Sequence, residues 1–246
     1  MKRRLFVASS VAAALAGCAK ATNAINDWQP IHPILDTAES LDYAIIGTHG
    51  SAQLYAPSDI TENFPTNGLP TPHQSEYLSY LQDNFASYRL PVTGLVDHPQ
   101  HFTLAQLRAL VSLDEITRHD CVEGWSVVGR WRGVQLSSLL RLVRPQREAR
   151  YVVFRSFDVD DSGTPFYGSI DLQQAAHPQT QLALDLNGKP IDDAHGAPVR
   201  LRIPTQLAYK STKWVKSIEV VSTFAHIFGG KGGYWEDNGY AWYAGI

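Results

Sequence analysis

Cysteine and methionine are nearly missing from this 246-residue chain, which holds only Cys18, Cys121 and Met1 of the two types. Thiols this few cannot build a disulfide scaffold. Basic residues are not in excess either: 21 Lys and Arg stand against 24 Asp and Glu, for a net charge of −3. Such a chain has no surplus of cations with which to release counterions from a phosphate backbone, so nucleic acid is excluded as a partner. No apolar run approaches the roughly 20 residues a membrane-spanning helix needs. There is no internal repeat and no low-complexity tract. With 44% hydrophobic and 18% charged residues, 18 Gly and 14 Pro, the composition is that of a globular protein. Long disorder and coiled coils are excluded, and a chain of this length can bury roughly 70–75% of its unfolded surface.

The first 24 residues read as an export signal. Lys2, Arg3 and Arg4 form a basic start, and residues 5–17 are mostly apolar and end in small side chains. The Arg3-Arg4 pair followed by Leu5-Phe6-Val7 resembles the twin-arginine motif of proteins exported already folded. Leu15-Ala16-Gly17-Cys18 resembles a lipobox, in which the Cys becomes an acylated first residue. The expectation is a periplasmic protein, lipid-anchored through Cys18 if the lipobox is used, with one globular domain over residues 25–246. Cys18 is then cut away or capped, which leaves Cys121 as a buried bystander, a nucleophile or a metal ligand.

Residues 20–72 carry Pro30, Pro33, Pro57, Pro65, Pro70 and Pro72 with weak periodicity and read as an extended arm that wraps the surface or lines a site. Helical spacing marks Tyr77, Leu78, Tyr80 and Leu81, then Leu104, Leu107, Leu110 and Val111 behind a Thr103 cap, then Leu136, Leu139, Leu140 and Val143. Strands are expected at 90–96, 151–154, 182–186, 199–203 and 218–221. Helices and strands interleave without a regular βαβ rhythm, which predicts an α+β fold with mixed β-sheets.

Several motifs fall away on inspection. The glycines at 229, 230, 232 and 233 lack phosphate-loop or dinucleotide spacing and read as a turn. Gly124-Trp125-Ser126-Val127-Val128 starts like a nucleophile elbow but has Val128 where the sharp turn needs glycine. His98 and His101 flank Pro99 with no third ligand in view.

The segment His119-Asp120-Cys121-Val122-Glu123-Gly124-Trp125-Ser126, followed by Trp131-Arg132-Gly133-Val134-Gln135-Leu136, resembles the cysteine loop of the sulfite-oxidase superfamily of molybdopterin enzymes, which reads Cys-Val-Glu-Gly-Trp-Ser. Two further blocks agree: Tyr167-Gly168-Ser169-Ile170-Asp171-Leu172 through His195-Gly196-Ala197-Pro198-Val199-Arg200-Leu201-Arg202, and Tyr209-Lys210-Ser211-Thr212-Lys213-Trp214-Val215 through Gly232-Gly233-Tyr234-Trp235-Glu236-Asp237. The match runs from about residue 59 to 246, and is strongest to the exported single-domain members that include periplasmic methionine sulfoxide reductases.

The resemblance implies a single molybdopterin-binding domain of sulfite-oxidase type and a molybdenum-molybdopterin cofactor whose metal Cys121 ligates, as suits a soft anionic thiolate. By position in the matching blocks it implies cofactor contacts at Phe64, Thr66, Asn67, Ser156, His195, Arg200, Ser211, Thr212 and Lys213. Of these, Arg200 and Lys213 suit a phosphate and Ser156 and His195 suit pterin heteroatoms. An Asn stands where His195 is in the related reductases. The Arg-Asn-His segment of sulfite oxidases has no equivalent in residues 59–68, which turns the reading away from sulfite.

The activity so implied is oxygen-atom transfer, as reduction of an S-oxide or N-oxide, with oxidation of sulfite or a small sulfur compound as the alternative. A monomer is expected, since the family's dimerisation domain does not follow Ile246. Electrons would come from a separate haem-containing membrane subunit or cytochrome, and Tyr234, Trp235, Tyr240, Trp242 and Tyr243 would flank the entrance. From other classes, a noncatalytic binding protein on the same scaffold stays open. A thiol hydrolase pairing Cys121 with His119 is set aside on the expectation that the two side chains diverge.

Overall fold

A computed structural model describes residues 32–47, 50–68 and 70–246. The export signal and Cys18 lie outside the described residues. Two compact units divide at Ile45 and Ile46. The first, as described, is helix α1 (His32–Ile45), which corrects the expectation of an extended arm over this stretch. The reason is local: Pro33 sits in the first turn, where its missing N–H costs nothing, and no Pro or Gly follows before Gly47.

In the second unit, one five-stranded sheet runs in the order β2 (Gln100–Thr103), β1 (Arg89–Gly94), β10 (Val215–Val221), β5 (Tyr151–Val159), β6 (Pro165–Asp171). β1 and β10 pair in parallel, with Val92 opposite Ile218, and the other pairs are antiparallel. The other sheet runs β3 (Leu113–Asp120), β4 (Ser126–Gln135), β7 (Gln181–Leu186), β8 (Lys189–Pro190), and β9 (Arg200–Arg202) also pairs with β7. One apolar cluster is shared by both sheets, with Val92, Phe154 and Ile218 from the first and Val134, Leu182 and Leu201 from the second. These mixed sheets with intervening helices are the α+β arrangement that the sequence pattern predicts.

The helices follow their apolar spacing. In α2 (Ser75–Gln82), Tyr77 is buried and its hydroxyl donates to the Ala197 carbonyl at 2.9 Å. α3 (Leu104–Ala109) is opened by a reciprocal cap: Thr103 Oγ1 accepts from the Gln106 N–H at 3.0 Å and Gln106 Oε1 accepts from the Thr103 N–H at 2.8 Å. That pairing satisfies two otherwise orphaned donors. α4 (Leu136–Val143) buries all four residues of its predicted face, and α5 (Leu172–Ala176) follows β6. A last short helix is α6 (Tyr234–Asp237).

Residues 50–68 run across the second sheet as the sequence leads one to expect. Gln179 brackets Ala52, the Tyr55 N–H donates to the Ile116 carbonyl at 3.0 Å, and the Thr61 N–H donates to the Val128 carbonyl at 2.9 Å. This anchoring carries Asn67 onto the loop that joins β3 to β4 and Phe64 against His119 and Trp131.

Candidate functional site

The β3–β4 hairpin presents the cysteine. β3 ends at Asp120, paired with Ser126, and residues 121–125 close the loop. The Cys121 N–H donates to the Trp125 carbonyl at 2.9 Å, and the Gly124 N–H returns to the Cys121 carbonyl at 3.0 Å. Gly124 turns the chain at φ +90°, a conformation that disfavours any side chain, which explains the glycine in Cys-Val-Glu-Gly-Trp-Ser. Cys121 is 7% exposed, and its Sγ accepts from Asn67 Nδ2 at 3.3 Å.

The thiol borders a cavity of about 450 Å³ built from both sheets and the 50–68 arm. Of the sequence-predicted residues, Phe64, Asn67, Cys121, Ser156, His195, Arg200, Ser211, Thr212 and Lys213 border it together. Thr66 is exposed and stands outside the lining. His98 and His101 are both exposed and apart from it. Among the described residues no group of three or more His, Cys, Asp or Glu is placed to hold a metal ion, and Cys121 is the one cysteine.

The floor is cationic. Arg200 borders the cavity and Arg202 lies beside it outside the lining; both are buried, each about 5 Å over the Trp131 ring, in cation–π geometry. Burial lowers the Arg200 guanidinium to about 10, and burial together with the neighbouring Arg200 lowers Arg202 to about 9. Both stay charged at neutral pH. Arg200 donates to the His195 carbonyl at 3.1 Å and its other terminal nitrogen faces His119 Nε2 at 3.2 Å, so no carboxylate is bonded to it.

Lys213 adds a third cation, donating to the Asn67 carbonyl at 2.8 Å and the Ala194 carbonyl at 3.3 Å. Desolvation first, then Arg200, brings its ammonium down to about 7, with Asp158 and Asp192 opposing the shift. Gly196, at φ +110°, lets this loop approach closely: an added Cβ would sit 3.0 Å from that of Lys213.

The other predicted residues are braced from beneath. Ser156 Oγ donates to the Lys213 carbonyl and accepts from the Asp158 N–H, each at 3.0 Å. Ser211 Oγ accepts from the Ile203 N–H at 3.2 Å. His195 has Nδ1 2.6 Å from Asp192 Oδ1 and Nε2 3.2 Å from the Phe64 carbonyl, so it links the 192–195 turn to the arm.

Residues that sequence reasoning did not select complete the floor. His119 is 2% exposed, borders the cavity and packs against Phe64, Trp125 and Trp131. The expectation that it diverges from Cys121 is overturned: side chains two apart on a strand share a face, and Cys121 lies just past the end of β3. Its Nε2 is engaged by Arg200 and the thiol by Asn67, so no thiol–imidazole pair forms.

The aromatic tail divides. Trp235 and Tyr240 border the cavity and remain more than a third exposed, whereas Tyr243 is buried and Trp242 packs on Tyr151 and Phe224.

Known proteins resemble this chain over most of its length. A model of the oxidoreductase molybdopterin binding domain matches residues 77–227. The chain is 40% identical over 194 residues to a putative protein-methionine-sulfoxide reductase subunit YedZ1 of Azospira oryzae, covering 79% of this chain and 68% of that protein. It is 30% identical over 234 residues to the protein-methionine-sulfoxide reductase catalytic subunit MsrP of Xanthomonas campestris pv. campestris, covering 89% and 70%. Among solved structures, the sulfane dehydrogenase SoxCD of Paracoccus pantotrophus superposes with a TM-score of 0.51 at 19% identity, covering 72% of this chain and 52% of that one. That last likeness shows a common fold. The family model spans more than half of the sequence and lies over the hairpin, floor and core just described, and the chain belongs to the oxidoreductase molybdopterin-binding domain family.

Proposed function

We propose that this chain is a molybdopterin-dependent oxidoreductase that reduces S-oxides, with its cofactor held in the cavity beside Cys121. One observation carries the reading. Buried donors gather there without acceptors: Arg200 Nε and His119 Nδ1 belong to residues bordering the cavity, Arg202 Nε and Trp131 Nε1 to residues packed beside them outside its lining, and none has a hydrogen-bond partner among the described residues. Each such atom costs about 1–3 kcal/mol unless a ligand answers it. A polar pterin with an anionic phosphate supplies the acceptors and the negative charge that this set lacks.

Cys121 would ligate the metal, Arg200 and Lys213 would hold the phosphate, and Ser156, Ser211 and Thr212 would meet the pterin. Asn67 would steady the sulfur, while His195 and Phe64 would close the wall behind it. Once bound, molybdenum-molybdopterin supplies two-electron oxygen-atom transfer chemistry. The protein's share is to bury the cofactor, orient it by the Cys121 hairpin and admit substrate past Trp235 and Tyr240.

The names of the two bacterial relatives support an S-oxide as substrate, and their description as subunits supports a separate electron-delivering partner, which we take to be a haem-containing membrane subunit or cytochrome. Residues 1–24 support periplasmic placement by the twin-arginine route, with lipid attachment at Cys18.

The test is direct. Protein made in a host that synthesises molybdopterin should contain molybdenum and pterin, and should oxidise a reduced viologen with methionine sulfoxide faster than it reduces an acceptor with sulfite. Cys121→Ser should abolish turnover. Absence of molybdenum from the wild type, or full activity in Cys121→Ser, refutes the assignment.

A further inference from the structure

His119 stands out among the unpartnered donors because its proton can be located by elimination. A guanidinium only donates, and Arg200 faces Nε2 at 3.2 Å, so Nε2 is the acceptor and the ring proton is on Nδ1. Nδ1 has neither solvent nor a partner. The rings packed around it, Phe64, Trp125 and Trp131, present carbon faces or an indole N–H, and Trp131 Nε1 is itself an unanswered donor. The cations packed over the same Trp131 ring, Arg200 and Arg202, are donors too. A neutral imidazole fixed in one tautomer among donors is a poor structural choice and a good ligand contact.

We infer that His119 is a further binding residue of the cavity, donating from Nδ1–H to an acceptor atom of the bound cofactor. The inference rests on the proposed function and deepens it, by assigning one contact to a residue that is not among the expected cofactor contacts.

Two near-isosteric substitutions separate the two ring nitrogens. An Asn amide nitrogen falls close to Nδ1 and keeps the donor, whereas a Gln amide falls close to Nε2 and keeps a partner for Arg200. Wild type, His119→Gln and His119→Asn are produced with the cofactor machinery, and molybdenum and pterin per chain are measured after purification, alongside the melting temperature of cofactor-free protein. His119→Gln should retain about tenfold less cofactor, the loss of one buried hydrogen bond, with a cofactor-free melting temperature no lower than that of wild type. His119→Asn should stay within about twofold of wild type.

Wild-type retention in His119→Gln, or an equal loss in both variants, overturns the inference and leaves the proposed function standing. Wild type devoid of molybdenum overturns both. Nitrogen NMR of histidine-labelled, cofactor-free wild type gives a measure that does not depend on any variant folding: a ring proton found on Nε2 of His119 refutes the assignment.

Discussion

The floor and the rim of the cavity are built on opposite terms. The floor is buried, cationic and over-supplied with donors: Arg200 is 6% exposed, Arg202 1% and His119 2%. The rim is open and aromatic, with Trp235 packed at a tilt on Tyr240 and Phe166 and Tyr240 edge-on to Tyr209, and its charge is acidic, from Glu123, Asp160 and Asp161. A buried guanidinium bonded to no carboxylate destabilises an empty protein, whereas an exposed tryptophan costs little. The contrast teaches which half needs a permanent occupant. A floor whose electrostatics are unbalanced when empty is made to be filled once, and a rim that is satisfied in water is made for molecules that come and go.

The strongest way to break that contrast is Arg200→Ala. Losing one charge-assisted contact of about 2 kcal/mol should lower cofactor content about 30-fold, as read by molybdenum analysis. The cofactor-free melting temperature should hold or rise, because an uncompensated buried cation has gone. A fall in cofactor-free stability would show that Arg200 serves the fold and not the ligand.

Lys213 sharpens the comparison through pH. Its folded value is about 7 against an ordinary 10.5, so between these the unfolded chain holds a proton that the folded one has released. Cofactor-free stability should therefore rise with pH across that window. Affinity for an anionic cofactor should move the other way, falling by up to about tenfold per unit as pH climbs above 7 and the empty site loses its charge. Arg200, Asp158 and Asp192 act on the same ammonium, so the quantity to measure is the difference between wild type and Lys213→Met in both melting temperature and cofactor retention. Parallel pH curves for the two proteins would remove Lys213 from the floor.

At the rim, Trp235→Ala and Tyr240→Ala should leave molybdenum content unchanged and raise KM a few-fold, with kcat nearly constant, since a stacking surface lost at the entrance removes about 1 kcal/mol of binding. Loss of cofactor from either variant would place these rings with the floor.

How far the sequence disclosed this molecule follows the same division between local and distant causes. The Thr103 cap, the α4 face of three leucines and a valine and the Cys121 turn with its Gly124 are all settled within a few residues, and each is readable directly. β3 and β4 are not, because their outward positions carry Arg130 and Arg132, whose pairing with Asp114 and Asp185 replaces the apolar alternation that marks a strand. α1 was hidden by the prolines on either side of it. The thiol was legible as a candidate metal ligand from its motif, but the place of His119 beside it was not: what sets its tautomer is Arg200, 81 residues later, and no spacing rule reaches that far.

The smallest effect expected is also the control for the others. Thr103 caps α3 far from the cavity lining, and Thr103→Ala removes a hydrogen bond to the Gln106 N–H without touching the site. Loss of such a cap costs about 1 kcal/mol, which in a domain of this size lowers the melting temperature by about 2–4 °C. Cofactor content, KM and the pH profile should all match wild type. If this remote lesion lowered cofactor retention as Arg200→Ala does, retention would be reporting general stability, and the distinction between a floor built for a ligand and a scaffold built for itself would fail.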